Sequence, residues 1–69
     1  MEKQLVQIEG MVENVVFGNE NTGFAVIELN TGEEILPVVG ELYGVEEGEE
    51  LKVTGVYTSH PKFGYQFKA

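Results

Sequence analysis

The side chains able to do acid–base, metal or phosphate chemistry are few in kind: twelve glutamates, four lysines and one histidine, with no aspartate, arginine or cysteine. The densest carboxylates are the pairs Glu46-Glu47 and Glu49-Glu50. Glycosidase-type chemistry needs two carboxylates held across a cleft with their pKa values driven apart. These four instead follow one another in a glycine-punctuated segment that reads as a solvated loop. His60 as a general base needs an orienting partner, and His60-Pro61 reads more simply as a turn. One histidine without a second, and without cysteine, does not make a zinc site, so no metal ligand is assigned. No segment has the GxxxxGK[ST] pattern whose backbone cradles a triphosphate. These residues are therefore expected to have no catalytic constellation and not to hydrolyse nucleotide.

What remains is binding chemistry, and it is unevenly distributed. Residues 1–50 carry all twelve acids and Lys3 alone among bases, whereas residues 51–69 carry Lys52, Lys62 and Lys68 and no acid. The same last third holds four of the seven aromatics: Tyr57, Phe63, Tyr65 and Phe67. Two readings stand side by side. In one, Lys52, Lys62 and Lys68 follow a phosphate backbone while Tyr57, Phe63 or Tyr65 stack on unpaired bases, with His60 in the same loop; each stack is worth roughly 1–3 kcal/mol. In the other, Tyr57, Tyr65 and Phe67 fill a small core and Phe63 plugs one end. The net charge of −8 argues against strong nucleic-acid binding, and three lysines neutralise few phosphates.

The elements that must position these residues are short strands. With 69 residues the chain makes one domain at most. Such a domain buries only about 60% of its unfolded surface, and a core of that size supplies roughly 3–5 kcal/mol. No apolar run approaches the roughly 20 residues of a membrane span, and no signal-peptide pattern opens the chain, so a cytoplasmic protein with no membrane partner is the expectation. Residues 1–4 read as a frayed lead-in, and residues 5–69 as a single domain.

Leu5 to Phe17 is the longest stretch with strand character. Val6, Ile8 and Val12 keep a period of two with Gly10 in step, and after Glu13 and Asn14 the apolar phase slips by one to Val15 and Phe17. That slip predicts a β-bulge, and Gly10 a bend or close backbone approach. A polar loop, Gly18 to Gly23, leads into a second strand, Phe24 to Leu29. There Ala25, Ile27 and Leu29 should face inward, leaving Phe24 and Val26 on the side of Glu28 as an outward apolar pair in need of a partner. Asn30-Thr31-Gly32 is a hairpin turn, with Gly32 at a positive-φ position. The third strand is Glu34 to Val39, with Pro37 where a ladder donor is not needed. Gly40 to Glu49 has too many glycines for a stable helix and reads as loop. A fourth strand, Glu50 to Tyr57, carries Gly55 as a second close approach, facing the bent first strand. Thr58 to Gly64 is a loop, and Tyr65 to Lys68 a short fifth strand. Five strands with a long bent first one predict an all-β, five-stranded oligonucleotide/oligosaccharide-binding (OB) type barrel, with a short loop in place of the usual helix between strands three and four. An SH3-like barrel is the alternative.

Two long segments carry a family resemblance: GMVENVVFGNENTGFAVIEL and, after it, VVGELYGVEEGEELKVTGVYTSHPKFGYQF. Gly10 and Val12, Asn19 to Phe24, Val39 to Leu42, Gly48-Glu49 and His60 to Phe67 fall in the order and at the spacings of the N-terminal OB domain of bacterial RecD-like ATP-dependent DNA helicases, relatives of the exodeoxyribonuclease V alpha subunit. The chain resembles that family from Ile8 onward. The resemblance implies an N-terminal piece of a cytoplasmic protein of DNA repair and recombination, one that uses ATP and magnesium to unwind DNA in the 5′ to 3′ direction. The motor's catalytic residues have no counterpart here, so no cofactor is expected on this piece. The implied partners are the remaining domains of the helicase, with weak single-stranded DNA contact or another protein as further expectations. A free-standing RNA- or ligand-binding OB protein is the reading outside the family.

Overall fold

The computed structural model describes residues 5–60 and 64–69, His60 by its backbone alone. Five strands account for most of them: β1 (Val6–Asn19), β2 (Phe24–Asn30), β3 (Ile35–Gly40), β4 (Glu50–His60) and β5 (Gly64–Lys68). They close in the order β1-β2-β3-β5-β4, so the sheet has no free edge strand. All neighbours are antiparallel except β3 and β5, which run parallel over Val38–Phe67 and Val39–Lys68 alone. This is the expected five-stranded barrel. Pro37 sits where β3 is paired with β2 on one side and the β5 contact has not yet begun, which accommodates its missing donor.

β1 closes the ring because it serves two partners, β4 with its first half and β2 with its second. Gly10 stands where the two halves meet. A Cβ there would collide with the carbonyl of Asn30 and lie 3.0 Å from Thr31 Cα, so only glycine lets the β2–β3 turn cross so closely. Gly55 is the second such position, and it faces the first strand as expected. It pairs with Val6, and the backbone its Cβ would strike is that of Lys68 and Ala69 at the end of β5.

The predicted slip in β1 is present, as a register shift between Val12 and Asn14, and Val15 accordingly faces Ile27 inside the barrel. A second shift, between Val15 and Phe17, departs from the expectation. Val16 is the extra residue there. The second bulge reverses the phase again and turns Phe17 outward, 51% exposed, opposite Val26. Phe17 therefore does not share the inward face of Val15 as the simple alternation predicts. β4 also runs three residues beyond Tyr57 and pairs with β5 out to His60–Gly64. The expected loop from Thr58 is thus mostly strand, and its Pro61, Lys62 and Phe63 lie outside the described residues.

The core comprises Val12, Ile27, Leu29, Leu36, Val38, Val53 and Phe67, with Val6, Ile8, Val15, Leu42, Val45, Leu51 and Tyr57 packed around it. Ala25, Ile27 and Leu29 are inward as predicted. No described buried side-chain polar atom lacks a partner. Residues 41–49 form turns without a helix. Leu42 and Val45 lean from this segment onto the core, and Gly48 N–H and Glu49 C=O bond Val12 at 2.8 Å each, fastening the loop over one end of the barrel.

Candidate functional site

Three surfaces carry side chains that could meet another molecule. The first is the hairpin formed by β4 and β5. Tyr57 pairs with Phe67 and Ser59 with Tyr65, so Tyr57, Tyr65 and Phe67 share one side of this two-stranded arm. Phe67 lies fully inside the barrel. Tyr57 meets its ring edge-on, with centroids 5.1 Å apart at 80°, and Tyr65 stacks on Tyr57 at 5.2 Å and 12°. The three rings step outward from core to solvent, ending on Tyr65 at 58% exposure. The structure therefore divides the set by burial. Phe67 is core, Tyr57 supports, and Tyr65 offers a ring to solvent.

The two described lysines, Lys52 and Lys68, are not on that side. Lys52 has the opposite strand parity from Tyr57, pairs with Glu9, and shares an open groove of about 500 Å³ with Glu9, Gly10, Thr31, Glu50 and Leu51. Lys68 likewise has the opposite parity from Tyr65 and Phe67, and points outward beside Val39 and Val56. Lys62, Phe63 and the His60 side chain lie outside the described residues. Among the described residues, no group of three or more His, Asp or Glu side chains is placed to hold a metal ion.

The second surface is the outer face of β1–β2–β3. Phe17 opposes Val26, Val26 opposes Val39, and Val39 opposes Lys68, giving a transverse outward row that is apolar over three strands. Phe24 extends it, 40% exposed, its ring centroid 6.5 Å from that of Phe17. Val16, pushed out by the second bulge, adds a side chain 57% exposed. The tip that holds these residues is built by Asn19. Its carbonyl accepts Gly23 N–H at 2.8 Å, and its side-chain Oδ1 accepts the N–H groups of Asn21 at 2.9 Å and Thr22 at 3.3 Å. Thr22 Oγ1 then accepts Phe24 N–H at 3.2 Å. Side-chain acceptors of this kind are what make Asn and Thr good turn residues. Phe24 and Val26 are thus outward, as the sequence predicts, and Phe17 joins them. The signal for Phe17 is present in the chain: Phe-Gly and Gly-Phe mirror each other about the polar turn, and three successive apolar residues, Val15 to Phe17, cannot all satisfy one alternation.

The third surface lies on the other side of the same hairpin. Val15, Gly18 and Ala25 form one wall of an open pocket of about 260 Å³, and Leu42, Tyr43, Gly44, Val45 and Glu46 the other. Tyr43 N–H bonds the Gly23 carbonyl at 3.1 Å, and its ring lies over Gly18, where a Cβ would come within 3.1 Å of it. No sequence-level reading assigned Tyr43 a place, because the loop that carries it has no periodicity.

A small closed barrel with a long bulged first strand and aromatic side chains presented on its outer sheet and on the β4–β5 arm is an OB-fold domain. The chain belongs to the OB-fold domain family of the ATP-dependent DNA helicase YrrC, whose family model matches residues 5–69. That match bears out the resemblance drawn from the sequence. No curated protein and no solved structure matches the chain. Among the described residues, no helix is long and apolar enough to cross a membrane.

Proposed function

We propose that this domain is a non-catalytic accessory module of a bacterial, cytoplasmic RecD-like helicase, docked on the helicase's other domains and positioning or regulating its motor in DNA repair and recombination. The observation that supports this reading is the outward row of Phe17, Val26 and Val39 extended by Phe24 and Val16. Two half-exposed phenylalanines in contact on a domain this small form an apolar patch of the kind that marks an interaction surface. The charge supports a protein neighbour rather than a phosphate chain there, since residues 6–40, which carry the row, hold six glutamates and no lysine, and Lys68 enters at its β5 margin. ATP and magnesium belong, in this reading, to the motor domains.

Replacing Phe17 and Phe24 together by serine tests it. Both rings are substantially exposed, so the isolated domain should lose less than about 1.5 kcal/mol. In the intact helicase the same pair should uncouple the domain, seen as a separate, earlier unfolding transition and altered unwinding. A single unchanged transition with unchanged unwinding would end the docking reading.

A second reading, weak single-stranded DNA contact, is favoured by the Tyr57–Tyr65 stack. Its ligand would meet Tyr65 first, with His60, Lys62 and Phe63, which precede it in the sequence, and Lys52 and Lys68 contributing charge. Titrating dT oligomers at low salt and following tyrosine fluorescence should give a saturable change that Tyr65→Ala abolishes and that fades as salt rises. A flat response removes this reading.

A further inference from the structure

We infer that the cavity between the β1–β2 hairpin and the 41–49 loop is an anchor pocket for one bulky apolar side chain, carried by a protein segment with lysine or arginine on both sides of it. This deepens the docking reading and rests on it, but concerns the opposite side of the hairpin from Phe17 and Phe24. The size comes first. At about 260 Å³ this open pocket falls below the roughly 300–1,000 Å³ of small-molecule sites, which is in the range of a single side chain rather than a cofactor. Its chemistry comes second. Val15, Ala25, Leu42, Val45 and the ring of Tyr43 supply apolar walls, and no lysine contributes to the lining. Aromatic and aliphatic anchors in such pockets are where protein interfaces concentrate their affinity.

The charge around it selects the partner. Glu46 lines the cavity, Glu41 and Glu47 flank it in the same loop, and Glu20 stands at the hairpin tip; all four are exposed. The nearest lysine in sequence after this loop is Lys52, which lies beside Glu9 and Glu50 in another groove. A phosphate chain or an acidic peptide would meet the Glu46 carboxylate in a loop that carries further glutamates and no lysine, whereas a basic segment meets opposite charge on entry. The pocket is also preformed, because the loop is fixed by the Tyr43–Gly23, Gly48–Val12 and Val12–Glu49 backbone bonds. A preformed site spends less of its binding free energy on ordering.

The test uses this 69-residue chain and three synthetic peptides: one with a single central phenylalanine between lysines, its glutamate-flanked analogue, and its alanine-centred analogue. Amide chemical shifts should move at Gly18 and Leu42 to Glu46 with the lysine–phenylalanine peptide, at a concentration at least about tenfold below that needed for either analogue. The paired Glu46→Lys and Glu47→Lys variant, altering exposed side chains, should weaken the response at least about fivefold. Gly18→Val should abolish it by pushing a methyl group into the pocket. Equal responses to all three peptides, shifts confined to the β4–β5 arm, or no shift at about 2 mM peptide would each overturn the proposal. If the peptides fail while the Phe17 and Phe24 double variant still uncouples the domain in the helicase, the docking reading stands and the pocket assignment falls.

Discussion

Replacing Phe67 by alanine should leave most of the chain unfolded at 25 °C. Phe67 has no exposed surface, belongs to the core cluster, and carries the edge contact from Tyr57. Removing a buried phenylalanine ring costs about 3–5 kcal/mol, and a domain below about 70 residues draws only about 3–5 kcal/mol from its core. The two figures are equal, so little net stability survives. Nor can the site collapse easily, since Phe67 stands at the short parallel seam where β5 meets β3 through two residue pairs. Losing the ring therefore loosens both the core and the closure of the barrel. Far-ultraviolet circular dichroism read against temperature checks this. A cooperative melt within a few degrees of the parent chain would show that the barrel does not depend on this ring. Tyr65→Ala is the internal comparison. Tyr65 is 58% exposed, so the same deletion of a ring two residues earlier should cost about 1 kcal/mol or less.

That contrast shows how much alternation reveals and where it stops. Strand parity places Tyr65 and Phe67 on one side of β5, and the β4–β5 register puts Tyr57 there with them. Parity cannot tell which of them lies inside the barrel, because that depends on where the β4–β5 arm leaves it. The arm extends to His60 and Gly64, past the reach of the other strands, and Tyr65 rides on the extension. The lysines show a signal that was legible but combined too freely. Lys52 and Lys68 have the opposite parity from the rings they are paired with by composition, so a single flat site holding all of them is not what the backbone builds.

The first strand is the other instructive case. Gly10 in step with Val6, Ile8 and Val12, and the slip after Val12, are both visible in the residues and both present. The second shift at Val16 is not resolved by periodicity, because two slips within five residues leave no run long enough to establish a new phase. Its consequence lies on the surface, since it is the shift that puts Phe17 next to Phe24. The loop from Glu41 to Glu49 shows a third limit. Its lack of helix follows from its glycines, but the positions of Leu42, Tyr43 and Val45 over the barrel end follow from tertiary hydrogen bonds to Gly23 and Val12.

Gly10→Val should destabilise the domain by at least about 2 kcal/mol, and Gly10→Ala by more than about 1 kcal/mol. The obstacle is backbone: the Asn30 carbonyl and Thr31 Cα occupy the space a Cβ needs. A side chain in the way can rotate, but here the β2–β3 turn itself must move. That turn is held by Thr31 N–H to the Glu34 carbonyl at 3.0 Å, by Gly32 N–H to Asn30 Oδ1 at 2.9 Å, and by Asn30 Nδ2 to Glu13 at 3.0 Å. Overpacking of this kind costs about 1–3 kcal/mol, and valine adds two further methyl groups to the overlap. Opposing it is the gain from replacing glycine in the unfolded chain, about 0.4–1 kcal/mol, which is too small to reverse the sign. Gly18→Ala separates the two effects. Its Cβ meets only the half-exposed ring of Tyr43, at 3.1 Å, and that ring can give way, so the change in stability should stay within about 1 kcal/mol of zero. Urea denaturation of the three variants and the parent, compared at a common m-value, reads both outcomes. A Gly10→Ala midpoint equal to that of Gly18→Ala would mean that the turn does not press on β1, and that the strand closes the ring by its bulges alone.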